Sequence, residues 1–220
     1  MEMRVAPPGT RAEWTDSHLR AEILSGRLRP GDRIPVERLA EAWGVSPTPI
    51  RESVRRLAGE GLVDLEPQRG ARVASVDAAV AAEIYAVRLL LEPVALRESV
   101  GRGSDVDFER AVTESFVALT KARGAAEQHD RHRAFHLVLM SRCTNRTLLA
   151  EIGSLMDRSR LYQFVAKPIA PGTAHADDHR LLMEFAVSGR VDDTIRVHTA
   201  HLTNTLRAVE ALRLANQSAE

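Results

Sequence analysis

The stretch "VERLAEAWGVSPTPIRESVRRLAGEGLVDLEPQRGARV", residues 36–73, holds the signals that decide the fold. Val36, Leu39, Ala40 and Trp43 recur at i, i+3, i+4 and i+7, the spacing of one helix face, and Gly44 ends that helix. Only "VS" separates it from the next element. Ser46 is a natural N-cap, and Pro47 and Pro49 are tolerated only in a first turn, where backbone N–H groups lack partners anyway. A second helix therefore begins near residue 47 and carries Ile50, Val54, Leu57 and Ala58 on one face. "LVDLE" and "ARVASV" then alternate apolar and polar residues around "PQRG", a strand–turn–strand pattern. Two helices joined by a tight turn and followed by a hairpin make a winged helix-turn-helix.

Upstream, "WTDSHLRAEILSG" spaces Leu19, Ile23 and Leu24 for a helix, with Thr15 as the expected cap and Gly26 as the stop; "LRPGDRIP" reads as a turn. Downstream of Asp77 strand signals vanish. Six helices are expected, at 77–101, 105–124, 127–143, 146–167, 174–188 and 191–215, broken at "GRGSD", "ARGAA", "TNRT", "KPIAPGT" and "SGR". The fold class is mainly α: a winged helix-turn-helix over 1–76, then an all-α bundle over 77–220 for effector binding and dimerisation.

Composition sets bounds on function. The 220 residues are 44% hydrophobic and 27% charged with a formal net charge of zero, so no overall field draws the protein to nucleic acid. Residues 1–76 hold 12 Arg/Lys against 11 Asp/Glu, so any DNA contact must come from a local patch. No apolar run approaches the roughly 20 residues of a membrane helix, and the first 16 residues have no apolar core, so neither a span nor a secretory signal is expected. The single cysteine, Cys143, fits a reducing cytoplasm and reads as a small buried hydrophobe. Met140, Met156 and Met183 read as core filler.

The local patch is on the helix that starts near 47. Opposite its apolar stripe stand Thr48, Arg51 and Arg55, at i, i+3 and i+7, with Arg56 on the flank. Such a face can offer guanidiniums to phosphates and guanine edges. Ser46 opens the helix, Arg38 lies on the preceding one, and Arg69 and Gly70 form a hairpin tip suited to a minor groove. The competing reading is a solvated face salted by Glu52 and Glu60. Residues 14–75, above all "SGRLRPGD" and "VSPTPIRESVRRLAGEGLV", resemble the winged-helix domain of the GntR family of bacterial transcription regulators. The resemblance implies operator reading by Arg38, Arg51 and Arg55. Pro47 departs from the family pattern, where arginine is common, and this shifts base readout toward Arg51.

Seven of the eight histidines lie between 129 and 201. At about 100° per residue, His129, His132 and His136 fall within roughly 60° of arc. An i, i+4 pair such as His132 and His136 presents two ligands from one face. "SGR" at 188–190 turns a helical hairpin whose midpoint, 190, makes His179 and His201 mirror partners; His198 and His175 lack such partners. His132, His136, His179 and His201 can thus converge on a divalent ion, and the alternative is that they are satisfied core histidines. "VRLLLEPVAL", "HRAFHLVLMSRCTN" and "DDHRLLMEFAVSGRVDDTIRVHTAHL" resemble the FCD effector domain, the all-helical partner in one GntR subgroup. That resemblance implies a metal on three histidines, mapping to His136, His179 and His201, and an aspartate at the position held here by His132. Asp130 points about 200° away. Four neutral imidazoles leave the ion its full charge, which favours Zn²⁺ or Ni²⁺ over Mg²⁺ or Ca²⁺ and attracts an anionic effector. The resemblance places Arg88 toward the ligand pocket; the competing role is a pair with Glu92. Asn145 is weighed between capping the helix at 146 and lining the pocket.

These readings converge on a homodimeric repressor in the cytoplasm, bound to a palindromic double-stranded operator and controlled by a small carboxylate at the metal. Two alternatives stand beside it: a regulator for which the ion itself is the signal, and a metal-dependent enzyme with an appended DNA-binding domain. The enzyme needs a general base beside the metal, as in H-E-x-x-H, and no such motif occurs.

Overall fold

The computed structural model describes residues 10–75, 77–165 and 173–217. They divide into two compact units, Met1–Ser75 and Val76–Glu220.

In the first unit, α1 (Arg11–Leu24), α2 (Val36–Trp43) and α3 (Pro47–Gly59) precede a hairpin of β1 (Val63–Glu66) and β2 (Gly70–Val73). Leu19 and Ile23 of α1, Ile50, Val54 and Leu57 of α3, and Leu62 and Val73 beside the wing form its core. The cap of α1 is not Thr15. A reciprocal capping box between Thr10 and Glu13 starts the helix earlier, with bonds of 3.2 and 2.8 Å. Thr15 is buried inside the first turns and its hydroxyl donates to the Arg11 carbonyl at 2.7 Å. In α2 only Ala40 of the four apolar-face residues is fully buried; Trp43 instead meets Trp14 and His18 of α1 in a half-buried aromatic cluster. Gly44 closes α2 in the left-handed conformation, as its position implies. Ser46 occupies the N-cap of α3 with Pro47 at its first position, although the Ser46 side chain makes no capping bond. The segment read as a plain turn also pairs with the wing: Ile34 N–H donates to the Ala71 carbonyl at 2.8 Å and Val73 N–H to the Asp32 carbonyl at 2.9 Å. Backbone groups that a loop would leave to water are thereby satisfied.

The second unit is helical throughout its described residues: α4 (Ala78–Gly101), α5 (Val106–Lys121), α6 (Gly124–Leu139), α7 (Arg146–Val165), α8 (Thr173–Val187) and α9 (Val191–Gln217). The expected break at "KPIAPGT" falls almost entirely at 166–172, outside the described residues. α4 packs along α9 and against α7, α5 against α6 and α8, and α8 against α9. Phe108, Val112, Phe135, Leu139, Met140, Cys143, Ile152, Met156 and Leu182 fill the core between them. α6 ends at Leu139, four residues short of the sequence expectation, because the end of α4 captures the following turn. Glu98 accepts from the Thr144 backbone and hydroxyl at 2.8 and 2.6 Å and from the Cys143 thiol at 3.1 Å; Ser99 Oγ accepts from Arg142 N–H at 3.2 Å. These four bonds replace the helical ones that residues 140–143 would otherwise make. They also hold the Glu98 carboxyl down at about 2, with the Thr144 hydroxyl the largest cause. Among the described residues no helix is long and apolar enough to cross a membrane.

Candidate metal centre and nucleic-acid interface

α6 presents His132 and His136 one turn apart, α8 contributes His179 and α9 contributes His201. The four ligand nitrogens lie within 4.8 Å of one another. His136, His179 and His201 are buried and His132 is half-buried, which makes His132 the side of the cluster nearest solvent. Phe135, fully buried, sets its ring edge-on to His136 and His179 and keeps that side of the cluster dry. Asp178 Oδ2 stands 3.3 Å from His201 Nδ1. That bond assigns the proton to Nδ1 and leaves the Nε2 lone pair for a ligand role. His132 and His136 are held well below the ordinary histidine range, by burial first and then by the neighbouring imidazoles. The cluster is therefore neutral, the form in which imidazole binds a metal.

The set fits a single ion. Nitrogens about 2.1 Å from one zinc ion are roughly 3.0–3.4 Å apart when adjacent and never more than about 4.2 Å apart. His132 Nε2 and His136 Nε2 are already 3.2 Å apart. The whole set closes on an ion with shifts of about half an ångström. All-nitrogen donors select borderline metals such as Zn²⁺ and Ni²⁺. Asp130 is elsewhere, as its angular position implies: it pairs with Arg160 of α7.

Arg88, expected near the effector pocket, is buried and tied to its own helix. Its Nε donates to Glu92 Oε1 at 2.5 Å and a terminal nitrogen donates to Ser159 Oγ at 3.3 Å. Its charge still reaches the cluster, because it contributes to holding His132 neutral. Asn145 does not join the histidines. Its Oδ1 accepts from Leu148 N–H at 3.0 Å and caps α7.

One member of this region escaped the sequence reading. His198 is fully buried, with Nε2 2.6 Å from Glu92 Oε2 and its ring 5.2 Å from that of His136. The mirror argument searched for a partner on α8, whereas His198 faces α4. The only signal in the sequence was Glu92, already assigned to Arg88.

In the first unit Thr48, Arg51 and Arg55 are exposed together on α3, opposite Ile50, Val54 and Leu57. Arg38 of α2, Ser46, and Arg69 and Gly70 at the wing tip are exposed as well. Arg51 donates to Glu37 of α2 at 2.7 Å; both are open to solvent, so the pair is weak and a nucleic acid can displace it. Arg55 and Arg38 have no ion pair among the described residues. Arg56 is drawn away to Asp16 at 2.9 Å, and Glu60 pairs with Arg20 rather than with the α3 arginines. The basic face is thus not neutralised by Glu60. Gly70, at φ 98°, turns the wing so that Arg69 projects from it.

A helix-turn-helix with a wing and an open arginine face, joined to a separate all-helical unit, defines a DNA-binding regulator of transcription. The chain belongs to the GntR family of bacterial regulatory proteins, whose pattern matches residues 13–73, and carries an FCD domain over residues 83–204. It is similar to the HTH-type transcriptional regulator BphR of Paraburkholderia xenovorans LB400, at 28% identity over 216 residues, covering 91% of this chain and 87% of that one. It is also similar to the HTH-type transcriptional repressor GlaR of Escherichia coli K12, at 27% identity over 154 residues, covering 67% and 69%. The solved structure of E. coli McbR/YncC superposes with a TM-score of 0.81 at 22% identity over 93% of this chain and 99% of that one, which shows the shared fold. The protein is accordingly a transcription regulator that binds DNA, and not an enzyme.

Proposed function

We propose that this protein is a homodimeric repressor whose grip on a palindromic operator is set by a small carboxylate bound at a divalent metal. The observation that carries this reading is the buried, neutral four-imidazole cluster of His132, His136, His179 and His201. A metal held there supplies positive charge for an anion. Arg88 adds a fixed cation nearby, and half-buried His132 marks the way in. In the first unit Arg38, Thr48, Arg51 and Arg55 face the major groove, while Ser46, Arg69 and Gly70 meet the backbone and minor groove. The repressor sign is supported by the name of GlaR. Control requires the effector to bind the DNA-competent and DNA-incompetent forms with different affinity.

The test is operator affinity of zinc-loaded protein, measured alone, with a panel of carboxylic acids, and after chelation. Release by an acid only when metal is present supports the reading; release by no acid overturns it. In the same assay His179→Ala should weaken metal binding by at least about 100-fold and abolish the acid response. An unchanged metal stoichiometry would remove His179 from the site. A second reading, that the ion itself is the signal, is favoured by one feature: four imidazoles complete a tetrahedral shell unaided. Metal alone would then shift operator affinity, and acids would add nothing.

Dimerisation is supported by α4, where Val87, Leu90 and Val94 form one exposed stripe at 41%, 72% and 57% exposure. A two-fold operator calls for a second copy of this chain as the cover. Leu90→Arg should turn the dimer into a monomer in light scattering at micromolar concentration and weaken operator binding at least about tenfold. A persistent dimer would place the interface elsewhere.

A further inference from the structure

His198 has one nitrogen committed and one free. Glu92 is ionised: burial raises its pKa, but Arg88 and His198 overcome this and hold it at about 2. It can only accept, so the proton in the 2.6 Å contact sits on His198 Nε2. Nδ1 then carries a lone pair. That atom is buried and has no hydrogen-bond partner. An orphan buried acceptor costs about 1–3 kcal/mol, a cost natural proteins rarely carry without a use. The ring lies against His136 at 5.2 Å and 62°, so whatever fills the metal centre is its neighbour. The arrangement Arg88–Glu92–His198 fixes both the tautomer and the position of this acceptor.

We propose that His198 selects the effector: its Nδ1 accepts a hydrogen bond from a hydroxyl on the carbon next to the carboxylate, so the preferred ligand is a 2-hydroxy acid. This rests on the carboxylate-effector reading above. Acids without the hydroxyl leave Nδ1 unsatisfied, and a site built around such an acceptor discriminates against them.

Isothermal titration of zinc-loaded, full-length protein with lactate against propionate, and malate against succinate, tests it. The wild type should favour the hydroxylated member of at least one pair by about tenfold or more. In His198→Gln an amide donor still reaches toward Glu92 but no acceptor stands at the Nδ1 position; the preference should fall to within about twofold. Nitrogen-15 spectroscopy of histidine in the metal-free protein should show His198 with its proton on Nε2. Equal affinities within both pairs overturn the proposal and leave the carboxylate reading intact. Preference retained in His198→Gln, or a proton found on Nδ1, overturns it as well. If neither pair binds at all, the carboxylate reading falls and takes this one with it. Should the glutamine variant fail to fold, the wild-type ratio and the spectrum decide the matter.

Discussion

Replacing Glu92 by alanine should lower the thermal midpoint of the helical unit by roughly 10 °C. Arg88 is buried, and its carboxylate partner lies at 2.5 Å in an equally buried place. Deleting one partner of such a pair leaves a charge without solvent or counterion and costs about 3–5 kcal/mol. For a unit of this size each kcal/mol moves the midpoint by about 2–4 °C. His198 loses its bond in the same step. Glu92→Gln, which keeps an acceptor, should fall between wild type and alanine. The pH dependence has a definite sign. The Glu92 carboxyl is held at about 2, below its ordinary value of 4.5. Its contribution is therefore complete above pH 4.5 and is lost as pH falls toward 2. Acid melts of wild type and Glu92→Gln should converge across that window. A midpoint shift of less than about 2 °C for the alanine variant would mean that Ser159 alone satisfies Arg88.

The second large effect is on DNA. Arg51→Ala should reduce operator affinity by about 30-fold or more while leaving thermal stability unchanged within about 0.5 kcal/mol. The side chain is exposed and touches no core residue; its surface pair with Glu37 contributes little. A guanidinium on a guanine edge provides about 1–3 kcal/mol of discrimination, and a two-fold dimer uses it twice. Pro47 occupies a position that cannot supply a charged contact, which concentrates readout on Arg51. Fluorescence anisotropy with the operator and a scrambled duplex separates the roles. Loss of discrimination identifies a base contact. A uniform loss with a smaller salt slope identifies a phosphate contact. Full operator affinity in the variant would show that Arg38 and Arg55 suffice.

Much of the architecture was legible because its signals are local. Pro47 and Pro49 can stand only in a first helical turn, Gly44 stops α2, and the alternation around "PQRG" has no helical equivalent. Misplaced boundaries trace to partners distant in sequence. Thr15 looked like a cap, yet the Thr10–Glu13 box was the stronger reciprocal signal. α6 was extended to 143 because nothing near it in sequence reveals that Glu98 and Ser99, some 43–46 residues earlier, take its last turn apart.

The sequence by itself determined the helix-turn-helix, the wing, the open face of Thr48, Arg51 and Arg55, and the candidacy of four histidines, since period, turn chemistry and mirror positions about a hairpin are properties of short segments. Tertiary structure alone decided which polar groups are desolvated together. It showed Arg88 locked to Glu92, Asn145 spent on a cap, Asp178 behind His201, and His198 beside the metal centre with a free nitrogen. Packing α4 against α9 brings residues 92 and 198 to 2.6 Å across 106 positions of chain, and no local pattern encodes a contact of that range.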